Sequence, residues 1–146
     1  MAMSDTVTPA KPLPVPDEAS SGYWSAAARG ELALPRCSAC NAFSLPPEIV
    51  CPTCGTTEPR YACAPVDGGG VVRSWTVVRD AFLPGFAADV PYVLVDVELD
   101  VQVGLRMIGR LVDGVDAPLA IGDRVAVTFD RLTDDVQVPA FRSARR

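Results

Sequence analysis

The sequence predicts a mainly β protein: an extended N-terminal arm with one short helix, a small cysteine-held ribbon, and a C-terminal five-stranded barrel. Three observations predict it. Four of the five cysteines come as two CxxC pairs between Arg36 and Gly55. Five β-rich runs follow, punctuated by Gly, Pro and Asp. No segment of useful length after residue 60 carries helical apolar spacing. We place the arm and helix at residues 1–34, the ribbon at 35–60 and the barrel at 61–146.

The arm opens with MAMSDTVTPAKPLPVPDE, whose prolines forbid a helix and favour an extended chain through residue 16. SSGYWSAAARGEL then reads as a short helix. Ser20 or Ser21 can cap its start, the alanines favour it, and Gly30 suits its end. Tyr23 and Trp24 sit one turn before Ala27 and Ala28. Such an aromatic helix docks either on the chain's own body or on another subunit. With little core of its own to bury, the partner is the slightly favoured expectation.

The ribbon is RCSACNAFSLPPEIVCPTCG. In each CxxC a tight turn brings two sulfurs to one side of the backbone. Two facing knuckles supply four sulfurs at tetrahedral angles, which suits a structural zinc held by Cys37, Cys40, Cys51 and Cys54. Asn41 and Gly55 follow the two knuckles at matching places, and both residue types tolerate positive φ. A redox dithiol and a rubredoxin-like iron use the same residue type. Redox CxxC motifs usually come singly near a βαβ pattern, which is not seen here. Four protein ligands close the coordination sphere, so the ion is expected to hold structure and to do no chemistry. Cys63 is left over and reads as a small buried hydrophobe.

The barrel runs are GGGVVRSWTVVRD, VPYVLVDVELD, GLRMIGRLVD, DRVAVTFDRL and VQVPAFR. Val93, Val95, Val97 and Leu99 share one face of the second run, and Asp96, Glu98 and Asp100 the other. Val125, Val127 and Phe129 alternate in the same way. Gly68, Gly69 and Gly70 allow the first long strand to bend as a small closed barrel demands. Five strands in this span suit an OB-like barrel, with a small antiparallel sandwich as the alternative. The longest connection, DAFLPGFAADVPY over residues 80–92, is apolar for a loop. It marks an interface or ligand wall, or else folds over the barrel mouth. Tyr23, Trp24, Phe82, Leu83, Phe86 and Tyr92 are therefore the candidate partner or ligand surface.

Composition sets further bounds. Thirteen basic and eighteen acidic residues give a net charge of −5, and the basic residues are twelve arginines and Lys11. An acidic chain without a basic stripe is a poor general nucleic-acid binder. Arg142, Arg145 and Arg146 read as a solvated tail. No run of about 18 apolar residues exists, so no membrane-spanning helix is expected. No signal-peptide pattern opens the chain, and a cytoplasmic location is the expectation. The sequence has no histidine, no GxSxG, no HExxH and no P-loop. Asp96, Glu98, Asp100, Asp113, Asp116 and Asp123 look like the solvent side of strands and turns. No residue is therefore expected to be catalytic.

Taken together, the proline-rich arm, the helix ending in GELALPRC, LPPEIVCPTCG, GGGVVRSWTVV, VPYVLVDVELD, GLRMIGRLVD, the IGDRV turn and VPAFR resemble one family. It is the zinc-ribbon/OB-fold acyl-CoA-associated family once called DUF35, and the resemblance runs from about Leu13 to Arg142. Asn41 departs from the family's usual glycine, and Glu48 from a common arginine.

The resemblance implies a rubredoxin-like zinc ribbon and an OB fold. It also implies an accessory, non-catalytic subunit in a hetero-oligomer, with acyl-CoA as ligand of the complex. Family members partner thiolase-like proteins: aldolases that cleave side-chain acyl-CoA by a retro-aldol step, or acyltransferases. Others pair with hot-dog-fold enoyl-CoA hydratases. The arginine-rich, lysine-poor composition suits a GC-rich genome and leans toward steroid or lipid breakdown. A rival from another class is an OB-fold single-strand binder. It would stack bases on Trp75, Tyr92 and Phe129, with Arg73, Arg79, Arg106 and Arg110 along the backbone.

Overall fold

A computed structural model describes residues 10–144. Helix α1 (Ser21–Ala28) comes first, then β1 (Ala33–Arg36) and β2 (Ala62–Pro65) on either side of the cysteine ribbon. The remaining strands are β3 (Gly69–Val78), β4 (Tyr92–Leu99), β5 (Arg106–Leu111), β6 (Arg124–Arg131) and β7 (Gln137–Ser143). They close in the order β3-β4-β5-β7-β6. All barrel pairings are antiparallel except β5 with β7, which meet in parallel at Leu111 and Phe141. This is the five-stranded OB barrel, and the sandwich alternative is set aside.

The alternation in β4 explains why that strand is central. Val93, Val95, Val97 and Leu99 are all buried, and they meet Val72, Met107, Leu111, Val125 and Phe141 in one core. Removing each such side chain from water contributes about 1.5–3 kcal/mol. The opposite face carries cross-strand ion pairs: Arg73 with Glu98 at 2.5 Å, Arg106 with Asp96, and Arg124 with Asp100. Closure depends on β3, which pairs with β4 and β6 at once over Gly70–Val71. A Cβ on Gly70 would stand 2.5 Å from the Glu98 carbonyl oxygen, so only glycine permits this approach. A bulge between Val72 and Ser74 then turns the strand.

Two strands escaped the sequence reading. β1 and β2 pair antiparallel from Ala33–Pro65 to Arg36–Ala62 and form the stem of the ribbon. Their sequences, ALPR and ACAP, carry no β-branched run and two prolines. The boundary expected at residues 34/35 falls inside β1. Leu32 and Leu34 reach from this stem into the barrel core, and Leu34 is fully buried.

The helix also differs from expectation. Ser20 occupies the N-cap position, but its hydroxyl donates to the Asp17 carboxylate at 2.5 Å and caps no helical amide. The Asp17 carboxyl is held below its usual range by the Ser20 hydroxyl and then by the Ser20 amide. Gly30, at φ 72°, ends the helix as expected. Ala26 and Ala27 are buried against the chain's own β1 and β7. The Gln137 side-chain amide donates to the Ala28 carbonyl at 3.1 Å. The helix thus docks on its own body, because two alanines let its backbone come close. Arg142, expected in a loose tail, lies in β7, while Arg145 and Arg146 are outside the described residues. Among the described residues, no helix is long and apolar enough to cross a membrane.

Candidate metal centre and apolar groove

The cysteine knuckles are built twice on one plan. The Cys37 amide donates to the Ala42 carbonyl at 2.8 Å, and the Cys51 amide to the Thr56 carbonyl at 3.0 Å. The Asn41 amide returns to the Cys37 carbonyl, and the Gly55 amide to the Cys51 carbonyl, each at 2.9 Å. Asn41 and Gly55 make these turns at φ 64° and 74°. Asn41 therefore fills the usual glycine place because asparagine tolerates this region.

The result is a box of sulfur. The Sγ atoms of Cys37, Cys40, Cys51 and Cys54 all lie within 4.8 Å of one another. Those of Cys40 and Cys51 are 3.7 Å apart. Zinc–sulfur bonds of about 2.3 Å at tetrahedral angles place sulfurs about 3.8 Å apart, so the box fits the ion. Cys37 and Cys51 are buried, Cys40 is half-buried and Cys54 faces solvent. The Cys54 amide, with help from the Thr53 amide and the neighbouring thiols, outweighs burial and draws the Cys51 thiol down to about 6. The Ala42 amide pulls Cys40 down, but burial and the other three sulfurs outweigh it and push its thiol up to about 11. Cys63 stands apart, partly buried beside Gly22 of α1, and burial pushes its thiol up.

A groove of about 460 Å³ opens where helix, ribbon and barrel meet. Tyr23 and Trp24 form one wall, in edge-to-face contact at 4.9 Å. Leu45, Pro46 and Pro47 of the ribbon form another, and Met107 and Ile108 of β5 the floor. Burial pushes the Tyr23 hydroxyl up to about 12. Arg106 sits at the rim with its guanidinium on Asp96.

The expected surface residues divide into two places. Tyr23 and Trp24 line the groove, and none of Phe82, Leu83, Phe86 or Tyr92 does. The 80–92 loop itself splits. Phe82 and Leu83 are 91% and 61% exposed at its tip. Phe86 and Tyr92 are half-buried at its root, with ring centres 6.5 Å apart. Sequence reasoning missed Ile108 and Ile49, which are 67% and 91% exposed. Ile108 was legible as an apolar residue out of phase with Met107, and Ile49 as an apolar residue stranded beside Pro47 and Glu48. The arginines named for a nucleic-acid groove are largely spoken for. Arg73 pairs with Glu98, Arg106 with Asp96, and Arg110 with Asp89 at 3.3 Å. Tyr92 carries Arg110 over its ring at 5.5 Å, and Phe129 packs on the core.

A four-cysteine ribbon stemmed onto a closed five-stranded barrel defines a zinc-ribbon/OB-fold protein. Residues 24–60 match the model of the ChsH2 rubredoxin-like zinc ribbon domain, and residues 64–130 that of the ChsH2 C-terminal OB-fold domain. A DUF35 domain-containing scaffold protein of Methanocaldococcus jannaschii is 30% identical over 100 residues, 68% of each chain. A chain of the solved Ltp2-ChsH2(DUF35) aldolase superposes with a TM-score of 0.75 at 29% identity, over 90% of this chain and 99% of that one. The chain belongs to the DUF35 family.

Proposed function

We propose that this chain is the accessory subunit of an acyl-CoA-processing complex. Its partner would be a thiolase-like aldolase that cleaves a carbon–carbon bond of a side-chain acyl-CoA in the cytoplasm. The observation that carries this reading is the likeness, across nearly the whole chain, to the DUF35 chain of an aldolase. The relative described as a scaffold protein supports it.

The chain's own chemistry agrees. Retro-aldol cleavage needs a general base and a stabiliser for an enolate-like oxyanion. Glu98 and Asp100 are held below their ordinary values by Arg73 and Arg124, which makes them poor bases. We assign both reaction roles to the partner. Cys37, Cys40, Cys51 and Cys54 would bind a structural zinc that fixes the ribbon on its β1–β2 stem. The apolar groove at Tyr23 and Trp24 would take the acyl or pantetheine portion of the ligand, and Phe82 and Leu83 would meet the partner.

Co-expression with the thiolase-like protein tests this. We expect a stable hetero-oligomer by light scattering, with cleavage activity that needs both chains. Full turnover by the thiolase-like protein alone would refute it.

A further inference from the structure

We infer that the proline-rich arm is a strap that holds the 79–91 loop in one pose, with Lys11 as its catch. The loop joins β3 to β4, and its exposed tip, Phe82 and Leu83, is not held by the barrel. Its far half is held by the arm. The Lys11 ammonium donates to the Asp89 carboxylate at 2.5 Å and stands 5.3 Å from the centre of the Phe86 ring. Both partners of this ion pair are largely covered, with side chains 28% and 20% exposed, so water and salt weaken it less than an open pair. The cation over the ring adds to the hold.

Backbone packing makes the catch specific. Gly85 has φ +82°, and a Cβ there would stand 2.5 Å from the Lys11 nitrogen and 2.8 Å from the Ala10 carbonyl carbon. The arm therefore lies directly on the loop's turn. Asp89 also accepts from Arg110 of β5, whose guanidinium covers the Tyr92 ring. That ties the caught loop to the barrel wall. At the strap's other end, Pro14 and Pro16 line a small pocket of about 240 Å³ together with Trp24, Ser25 and Val136. Pro12, Pro14 and Pro16 keep this stretch of the strap extended. Lys11 is the chain's single lysine, and this catch is where it is used.

The strap stands without the proposed complex. Only its consequence, that Phe82 and Leu83 are presented to a partner in one pose, rests on that reading. Hydrogen exchange on the full chain tests the strap alone. Lys11→Met removes the charge and keeps the stem, and Gly85→Ala blocks the close approach and keeps the charge. In both variants we expect exchange of the 81–90 amides to rise about fivefold to tenfold, with β4 and β5 unchanged. Lys11→Arg should stay within about twofold of the parent. Parent-like exchange at 81–90 in Lys11→Met would overturn the strap whatever Gly85→Ala shows, since alanine at φ +82° also strains the turn itself. Affinity for the thiolase-like protein, measured on the same variants, tests the consequence. Weaker binding supports it. Raised exchange with unchanged affinity keeps the strap and removes Phe82 and Leu83 from the partner surface.

Discussion

The Gln102 side chain grips both backbone groups of Phe43: the Phe43 amide donates to its Oε1 at 2.8 Å, and its Nε2 donates to the Phe43 carbonyl at 2.9 Å. An amide side chain from the turn after β4 thus imitates a strand neighbour for a ribbon residue 59 positions away in sequence. Phe43 also bridges Arg36 at the end of β1. The orientation of the ribbon on the barrel depends on this pair and on the Leu34 plug.

Gln102→Ala should therefore destabilise the chain by about 1–3 kcal/mol, because two part-buried backbone groups lose their partners together. Urea denaturation measures it. Gln102→Glu keeps an acceptor for the Phe43 amide but sets a carboxylate against its carbonyl, and should recover little of the loss.

Metal removal should act on more than the ribbon. Cys37→Ala or Cys51→Ala should drop bound zinc from one per chain to near none, read by elemental analysis. The melting midpoint should fall by about 10 °C or more. The barrel should loosen too, since Leu34 on the ribbon stem is part of its core. A metal-free variant melting like the parent would refute a structural role for the site.

The outer ion pairs set an acid limb of stability. Hydrogen bonding from Arg73, then from the Gly104 amide, holds the Glu98 carboxyl below its ordinary 4.5 in the folded chain. Its contribution is therefore fully present above pH 4.5 and lost as pH falls from there through the lowered folded value. Arg73→Met should move the Glu98 titration back toward 4.5, read by NMR of the carboxyl carbon. The acid-unfolding midpoint should move up with it.

The loop tip offers a test that separates binding from folding. Phe82→Ser with Leu83→Ser changes two exposed side chains, so stability should shift by no more than about 0.5 kcal/mol. Affinity for the thiolase-like protein should fall by about tenfold or more if the pair meets the partner as proposed. Calorimetric melting and a binding titration on the same variant give both readings.

Much of the architecture was open to reading because it is written in short-range patterns. CxxC spacing, positive-φ residues after each knuckle, and period-two alternation in β4 are local, and they carry the ribbon and the barrel wall. β1 and β2 were not legible, because proline, alanine and cysteine strands become strands only through each other. The split of the 80–92 loop into an exposed tip and a caught root was not legible either, since Phe82 and Phe86 are the same residue type in the same apolar stretch.

By itself, the sequence determined what this protein is made of. Four sulfurs must converge where two knuckles face each other, and the alternating β4 must turn Val93, Val95, Val97 and Leu99 inward. Tertiary structure decided how the pieces meet: Gln102 on Phe43, Leu34 in the barrel, Ile108 in the groove floor, and Lys11 on Asp89. Alternation and knuckle spacing are imposed by the backbone within a few residues. Contacts between distant residues exist only once the chain has closed on itself.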